Sequence, residues 1–98
     1  MTLQEIKTIV CKSFGIEECD FVITTRSNEF AFPRFAYYAL CRKHTLLSFE
    51  SIGNSVLRNH STVSRGIVRH EELLELRKVY NANFRKAEKE VKKLKDSK

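Results

Sequence analysis

Four consecutive polar residues near the middle of this 98-residue sequence carry its clearest potential for chemistry. They are Asn59, His60, Ser61 and Thr62, and their short side chains offer both hydrogen-bond donors and acceptors. In the first turn of a helix, side chains of this kind can reach base edges in the major groove of duplex DNA. Capping alone also favours polar first turns, so many helical domains share the pattern.

Two helices joined by a tight corner are predicted to position this polar run. Ser48 can cap the first helix, on which Ile52 and Val56 share one face. Asn59 can cap the second helix, which at about 100° per residue has an apolar face containing Val63 and an opposite polar face. The residues of the polar face are Ser61, Thr62, Arg65 and Arg69. The stretch therefore predicts a helix-turn-helix with one face of its second helix free to bind.

Cysteine and histidine offer the alternative of a catalytic or metal site. Cys11, Cys19 and Cys41 are widely spaced among apolar neighbours. The C-x₂₋₄-C and H-x₃₋₅-H spacings typical of zinc sites do not occur. A Cys–His nucleophile pair stays open, but nothing positively indicates one. We therefore expect no enzyme, no metal and no cofactor.

Charge and length narrow the class of partner. Lys and Arg outnumber Asp and Glu by 18 to 12, which favours a polyanion, with nucleic acid first and an anionic membrane second. No apolar run approaches the roughly 20 residues that span a bilayer, and no basic segment followed by an apolar core opens the sequence. We expect one domain over residues 1–98 and a cytoplasmic protein.

The N-terminal third combines one helix with a polar connection. A capping box formed by Thr2 and Glu5 opens the helix, whose apolar residues recur at helical spacing. Residues 17–22 predict a short helical turn at best. Residues 23–29 are polar without helical periodicity, so we predict a loop that carries Arg26.

A buried central helix is predicted to begin with Pro33 in its first turn, where the missing N–H costs nothing. Arg34, Tyr38 and Arg42 follow one edge of this helix at i,i+4 spacing. The edge is either a solvated flank or a pair of phosphate clamps beside the helix-turn-helix, and the sequence leaves both interpretations open.

The C-terminal third predicts more helix. The second helix of the helix-turn-helix continues to about Lys78, weakens at Asn81 and Asn83, and gives way to a last amphipathic helix beginning near Phe84. Lysines crowd the outer surface of this last helix, which is either solvated or docks a protein partner. Gly and Pro are scarce and strand patterning is absent, so the fold class is all-α.

Residues 58–63, with the sequence R-N-H-S-T-V, closely resemble the R-D-H-T-T-V signature of the C-terminal DNA-binding domain of the bacterial replication initiator DnaA. Ser48-x-x-x-Ile52-Gly53 is similar to the family's S-L-x-x-I-G, and Arg34 to Leu40 resembles its R-x-x-A-x-x-L. The resemblance spans roughly residues 3 to 95. It implies a compact, Trp-repressor-like helix-turn-helix domain that binds a short duplex site from two grooves.

The resemblance also implies roles for individual residues. Major-groove contacts fall to Asn59, His60, Ser61 and Thr62. A minor-groove contact falls to Arg26, and backbone or nearby base contacts fall to Arg34, Arg42 and Arg58. Arg65 joins this set because it lies on the polar face of the same helix.

The chain departs from the family's pattern at the corner and at its first reading position. Val56-Leu57-Arg58 is one residue shorter than the family's turn and lacks its glycine. Asn59 replaces an acidic residue. A carboxylate only accepts hydrogen bonds and suits cytosine, whereas asparagine also donates and can pair with adenine, so the base preference should differ.

Two functions lead after this comparison, and an enzyme that uses a Cys thiolate is a third hypothesis. The first is sequence-specific binding of double-stranded DNA by a free-standing monomeric module that regulates replication initiation or transcription. It would lack ATPase activity, because the sequence has no G-x-x-x-x-G-K-[ST] motif. The alternative is a DnaA-like fold repurposed for protein–protein interaction, through the Lys-rich last helix or the altered turn.

Overall fold

The computed structural model describes residues 2–17 and 28–96. Within them lie five helices: α1 Leu3–Phe14, α2 Asn28–His44, α3 Phe49–Asn54, α4 His60–Leu76 and α5 Lys78–Asp96. The all-α prediction is confirmed. None of these helices is long and apolar enough to cross a membrane.

Helix α1 begins and ends through local hydrogen bonds that the sequence predicts. The Thr2 hydroxyl accepts the Glu5 N–H at 3.2 Å, and the Glu5 carboxylate accepts the Thr2 N–H at 2.8 Å. Gly15 closes the helix with φ of 71°, a left-handed conformation that costs glycine little. Ile6 and Val10 are fully buried and anchor α1 to the core.

Helix α2 begins earlier than predicted. It starts at Asn28, so Pro33 is its sixth residue and does not lie in the first turn. Residues 28 and 29 are helical where a loop was expected, because polar residues at a helix start carry no apolar periodicity. The predicted turn at 17–22 and the rest of the predicted loop lie largely outside the described residues.

The corner between α3 and α4 closes through backbone hydrogen bonds. The Arg58 N–H donates to the Gly53 carbonyl at 2.9 Å, and the Leu57 N–H donates to the Asn54 carbonyl at 3.4 Å. This is a Schellman arrangement, which needs a left-handed residue, and Leu57 takes that place with φ of 59°. A Cβ on Gly53 would lie 2.5 Å from the Arg58 carbonyl oxygen, so a side chain there would open the corner.

Helix α4 crosses α2 at a second close approach. A Cβ on Gly66 would lie 2.5 Å from Cδ2 of Tyr38, so the glycine lets the tyrosine ring lie directly against the α4 backbone. Val63, His70 and Leu73 are buried on this side of α4, whereas Ser61, Arg65 and Arg69 are exposed. The predicted division of α4 into two faces is confirmed.

The break between α4 and α5 lies at Arg77, whose extended backbone has φ of −126° and ψ of 106°. The predicted weak point at Asn81 and Asn83 is wrong, since both residues lie inside α5. Asn81 is compatible with a helix here because its side-chain amide donates to the Leu74 carbonyl at 3.0 Å. That carbonyl belongs to the last turn of α4, whose carbonyls have no N–H donor within the helix itself.

Two polar side chains lie in the core beside α5. Glu88 is buried and pairs with Lys43 at 2.6 Å, tying α5 to the end of α2. Burial would raise the pKa of Glu88, but the hydrogen bond and charge of Lys43 outweigh it and hold that pKa below its usual value. His70 shares a 2.7 Å hydrogen bond with the Tyr80 hydroxyl and lies 4.4 Å from the Phe84 ring, centroid to centroid.

Replacing Leu57 with glycine should stabilise the protein. A left-handed leucine costs about 1–2 kcal/mol, and glycine removes this strain. Part of the gain is offset because glycine increases the conformational entropy of the unfolded chain. Leu57 is 78% exposed, so the substitution removes little packing. We expect Leu57→Gly to raise the free energy of unfolding in urea by about 0.5–1 kcal/mol. Gly53→Ala is the opposing control and should lower the free energy of unfolding. If Leu57→Gly left the free energy of unfolding unchanged, the corner would not be strained at Leu57.

Acid should destabilise the fold through His70. Burial lowers the pKa of His70 from 6.5 to about 4, so the unfolded chain binds a proton that the folded protein does not. Neutral His70 makes its full contribution to the free energy of unfolding above pH 6.5. As the pH falls towards 4 the free energy of unfolding decreases, by up to about 1.4 kcal/mol per pH unit. Urea unfolding between pH 7 and 4.5 should show this slope. The slope of the free energy of unfolding against pH should be smaller in His70→Gln. An equal slope in that variant would show that another group causes the pH dependence.

Candidate nucleic-acid interface

The first turn of α4 presents polar groups at the surface while being capped from within. The Asn59 side-chain oxygen accepts the Thr62 N–H at 2.9 Å and the Thr62 hydroxyl at 3.1 Å. His60 and Ser61 are exposed, and no acidic residue lies in this turn. The positive end of the helix dipole therefore lies at an exposed turn that itself carries no carboxylate, an arrangement that attracts anions.

The cap limits what Asn59 itself can offer to a ligand. Pairing with both N6 and N7 of adenine requires the side-chain oxygen as an acceptor. That oxygen already receives two hydrogen bonds from Thr62. In this conformation the side-chain oxygen of Asn59 is occupied, and the adenine pairing expected from the sequence would require the cap to open.

Arg58 lies against the corner that precedes α4. Its guanidinium donates from Nη1 to the Val56 carbonyl at 3.2 Å and to the Leu57 carbonyl at 3.1 Å. These bonds hold the charge beside the first turn of α4. They also satisfy two carbonyls of a corner whose backbone lies outside regular helix.

Arg42 lies at the start of the helix-turn-helix, where α2 leads into α3. Its Nη1 donates to the Leu47 carbonyl at 3.3 Å, and its guanidinium carbon lies 4.8 Å from the centroid of the Phe49 ring. The cation–π contact and the hydrogen bond order an exposed side chain. The sequence singled out Arg42 but not Phe49, because this contact forms only when α2 and α3 meet.

Arg34 differs from the solvated flank that its spacing allowed. It is only 8% exposed, and Tyr38, one turn later, is fully buried. Burial lowers the pKa of Arg34, and the positive charge of Arg58 lowers it further. Arg34 on α2 and Arg58 at the corner are therefore close enough for their charges to interact.

The remaining candidates divide between the surface of α4 and the undescribed part of the chain. Arg65 is exposed one turn after Ser61, so the structure places it on the same outer face. Arg69 continues that face but pairs with Glu72 at 2.6 Å. Arg26 lies outside the described residues, and its minor-groove role stays a prediction.

The thiols that the structure describes are poorly suited to nucleophilic catalysis. Cys11 and Cys41 are both buried. Burial raises the pKa of Cys41 to about 12, so at neutral pH it stays protonated, whereas the reactive form is the thiolate. Cys19 lies outside the described residues.

The sequence of this chain matches a known protein family. A family model described as the bacterial dnaA protein helix-turn-helix matches residues 3–69. The chromosomal replication initiator protein DnaA of Oleidesulfovibrio alaskensis is 39% identical over 62 residues, covering 63% of this chain and 13% of that protein. Chromosomal replication initiator protein DnaA 2 of Protochlamydia amoebophila is 32% identical over 75 residues, covering 76% of this chain and 17% of that protein.

The chain thus spans less than a fifth of the length of either relative. The matched residues run from α1 through the first half of α4 and include the corner and the capped first turn. Since the family model covers well over half of the chain, this protein belongs to the bacterial DnaA helix-turn-helix family.

Proposed function

We propose that this protein binds double-stranded DNA sequence-specifically, with the first turn of α4 in the major groove. The observation that carries the proposal is the exposed, carboxylate-free start of α4, where His60 and Ser61 face solvent. Groups of this size at a helix start can reach base edges. The names of its relatives, which describe chromosomal replication initiators, support the same function.

Phosphate contacts would come from the arginines around this turn. Arg42 is held by a hydrogen bond to a carbonyl that precedes α3, and Arg58 is held by hydrogen bonds to carbonyls of the corner that follows α3. Pre-ordered guanidinium groups lose less conformational freedom when they meet a phosphate. The net charge of +6 adds a general attraction towards DNA.

The mechanism is occupancy of a DNA site by a monomer in the cytoplasm. Bound there, the protein regulates replication initiation or transcription by excluding or recruiting other factors. The sequence contains no G-x-x-x-x-G-K-[ST] motif, so the proposal assigns DNA binding and no ATPase activity to this chain.

A protein-docking function is the second candidate, and α5 favours it. The outer side chains of α5 are mostly lysine and are exposed, and α5 lies beyond the matched residues. The basic members of this surface are Arg85, Lys86, Lys89, Lys92, Lys93 and Lys95. An acidic protein surface would complement it.

Selection of bound duplexes from a random pool, followed by anisotropy titration of the selected site, tests the first candidate. We expect a defined sequence and binding that weakens steeply with salt, since each neutralised phosphate contributes about 0.9 to the slope of log K against log[salt]. No binding to any duplex at about 50 mM salt would overturn the proposal in favour of protein docking.

Arg42→Ala should weaken binding to all duplexes nearly alike. Removing one phosphate contact should flatten the salt slope by about one unit without changing the selected sequence. Lys86→Ala is the matched control, because it removes the same charge from an exposed position on α5. Equal effects of the two substitutions would show that only net charge matters at Arg42.

Asn59→Asp tests whether the first residue of the turn reads a base. A carboxylate can still accept the Thr62 N–H, so the variant should fold normally. It lacks the amide donor of asparagine. We expect weaker non-specific binding and a shift towards cytosine at one position, worth about 1–3 kcal/mol if the contact is direct. Parallel selections with both proteins at the same salt measure it. Identical preferences would limit Asn59 to capping.

A further inference from the structure

We propose that Glu72 limits the affinity for DNA, because its carboxylate competes with the DNA phosphates for the guanidinium of Arg69. The inference rests on the proposed function and deepens it. The observation that carries it is an ion pair on the surface of α4, in which Nη1 of Arg69 donates to Oε2 of Glu72 at 2.6 Å.

This ion pair lies on the face of α4 that would meet DNA. At about 100° per residue, Glu72 lies within about 20° of Ser61 around the helix, and Arg69 lies within about 80° on the same side. The side chains of Arg69 and Glu72 are 53% and 47% exposed, so neither is committed to the core. The pair therefore belongs to the same outer surface as the exposed first turn.

The length of α4 places the pair at the rim of the groove. An α-helix rises about 1.5 Å per residue, so Arg69 lies about 12 Å along α4 from Ser61. The major groove is about 8.5 Å deep. With Ser61 at the base edges, Arg69 would lie just outside the groove, where its long side chain can reach the phosphates. Glu72 lies nearly one helical turn farther out.

The charge of α4 changes sign at this pair. No Asp or Glu occurs from His60 to His70, whereas residues 71, 72 and 75 are glutamates. Carboxylates towards the C-terminal end of a helix oppose its dipole. A pair in which the cation precedes the anion also stabilises a helix less than the reverse order. Helix stability therefore gains little from a glutamate at position 72.

The competition follows from the chemistry of the guanidinium. Carboxylate and phosphate oxygens both accept charge-assisted hydrogen bonds from arginine, so Arg69 must leave Glu72 or divide its charge when a phosphate arrives. Exposed ion pairs are weak, so this exchange lowers the affinity without preventing binding. Phosphate contacts carry no direct sequence information. Glu72 would thus determine how tightly DNA is held and not which sequence is selected.

Glu72→Gln removes the competing charge and keeps the size of the side chain. At about 100 mM salt we expect about threefold to fivefold tighter binding to the selected duplex, with a salt slope steeper by up to about 0.9. An unrelated duplex should gain by the same factor. The melting temperature should change little, because the pair is exposed.

This experiment does not depend on a loss of function, since a misfolded variant would not bind DNA more tightly. Unchanged or weaker binding of Glu72→Gln would overturn the inference. A changed base preference would also overturn it, because Glu72 would then read a base.

Glu71→Gln is the matched control. It makes the same change of charge at an exposed neighbouring position, but residues two places apart on a helix do not face each other, so Glu71 does not compete for Arg69. Its affinity for DNA should rise by less than about twofold, since salt screens distant charges. An equal rise in the two variants would show that only net charge matters and would overturn the competition.

The same substitution in an Arg69→Ala background tests whether Glu72 acts through Arg69. Without the arginine there is no cation to compete for, so Glu72→Gln should then raise the affinity by less than about twofold. A gain as large as in the wild-type background would show direct repulsion of DNA and would overturn the coupling. Wild-type protein decides the underlying function separately. If it binds no duplex, the proposed function fails. If it binds and the variants do not follow this pattern, only the role of Glu72 fails.

Discussion

The carbonyl oxygen of Gly53 organises the helix-turn-helix. It accepts the N–H of Val56 at 3.0 Å and that of Arg58 at 2.9 Å, so one acceptor ends α3 and sets the direction in which α4 leaves. The close approach requires a residue without a side chain. Every candidate DNA contact on α4 takes its position from this corner, because the helix is rigid beyond its capped first turn.

The rest of the core keeps α4 at a fixed angle to α2. Gly66 lets α4 lie against Tyr38, and His70 joins α4 to α5 through its hydrogen bond with Tyr80. These contacts are buried, so they hold the outer face of α4 from behind. Apart from the Asn59 cap, the outer face of α4 is therefore not needed to hold α4 in place.

Local features of this fold could be predicted from the sequence, and features that depend on distant residues could not. The capping box at Thr2 and the caps at Ser48 and Asn59 involve neighbours three residues away, so sequence spacing reveals them. The start of α2 and the break at Arg77 carry no such local signal. Arg34 is also buried, although its spacing along α2 suits an exposed flank equally well.

The ion pair between Glu88 and Lys43 has a consequence for where the folding unit ends. The family model stops at residue 69, yet Glu88 joins α5 to the end of α2, and Tyr80, Phe84 and Val91 are buried in the same core. The boundary of recognisable similarity is therefore not a thermodynamic boundary. A fragment cut after residue 69 would lose these buried side chains and leave Lys43 without its carboxylate partner.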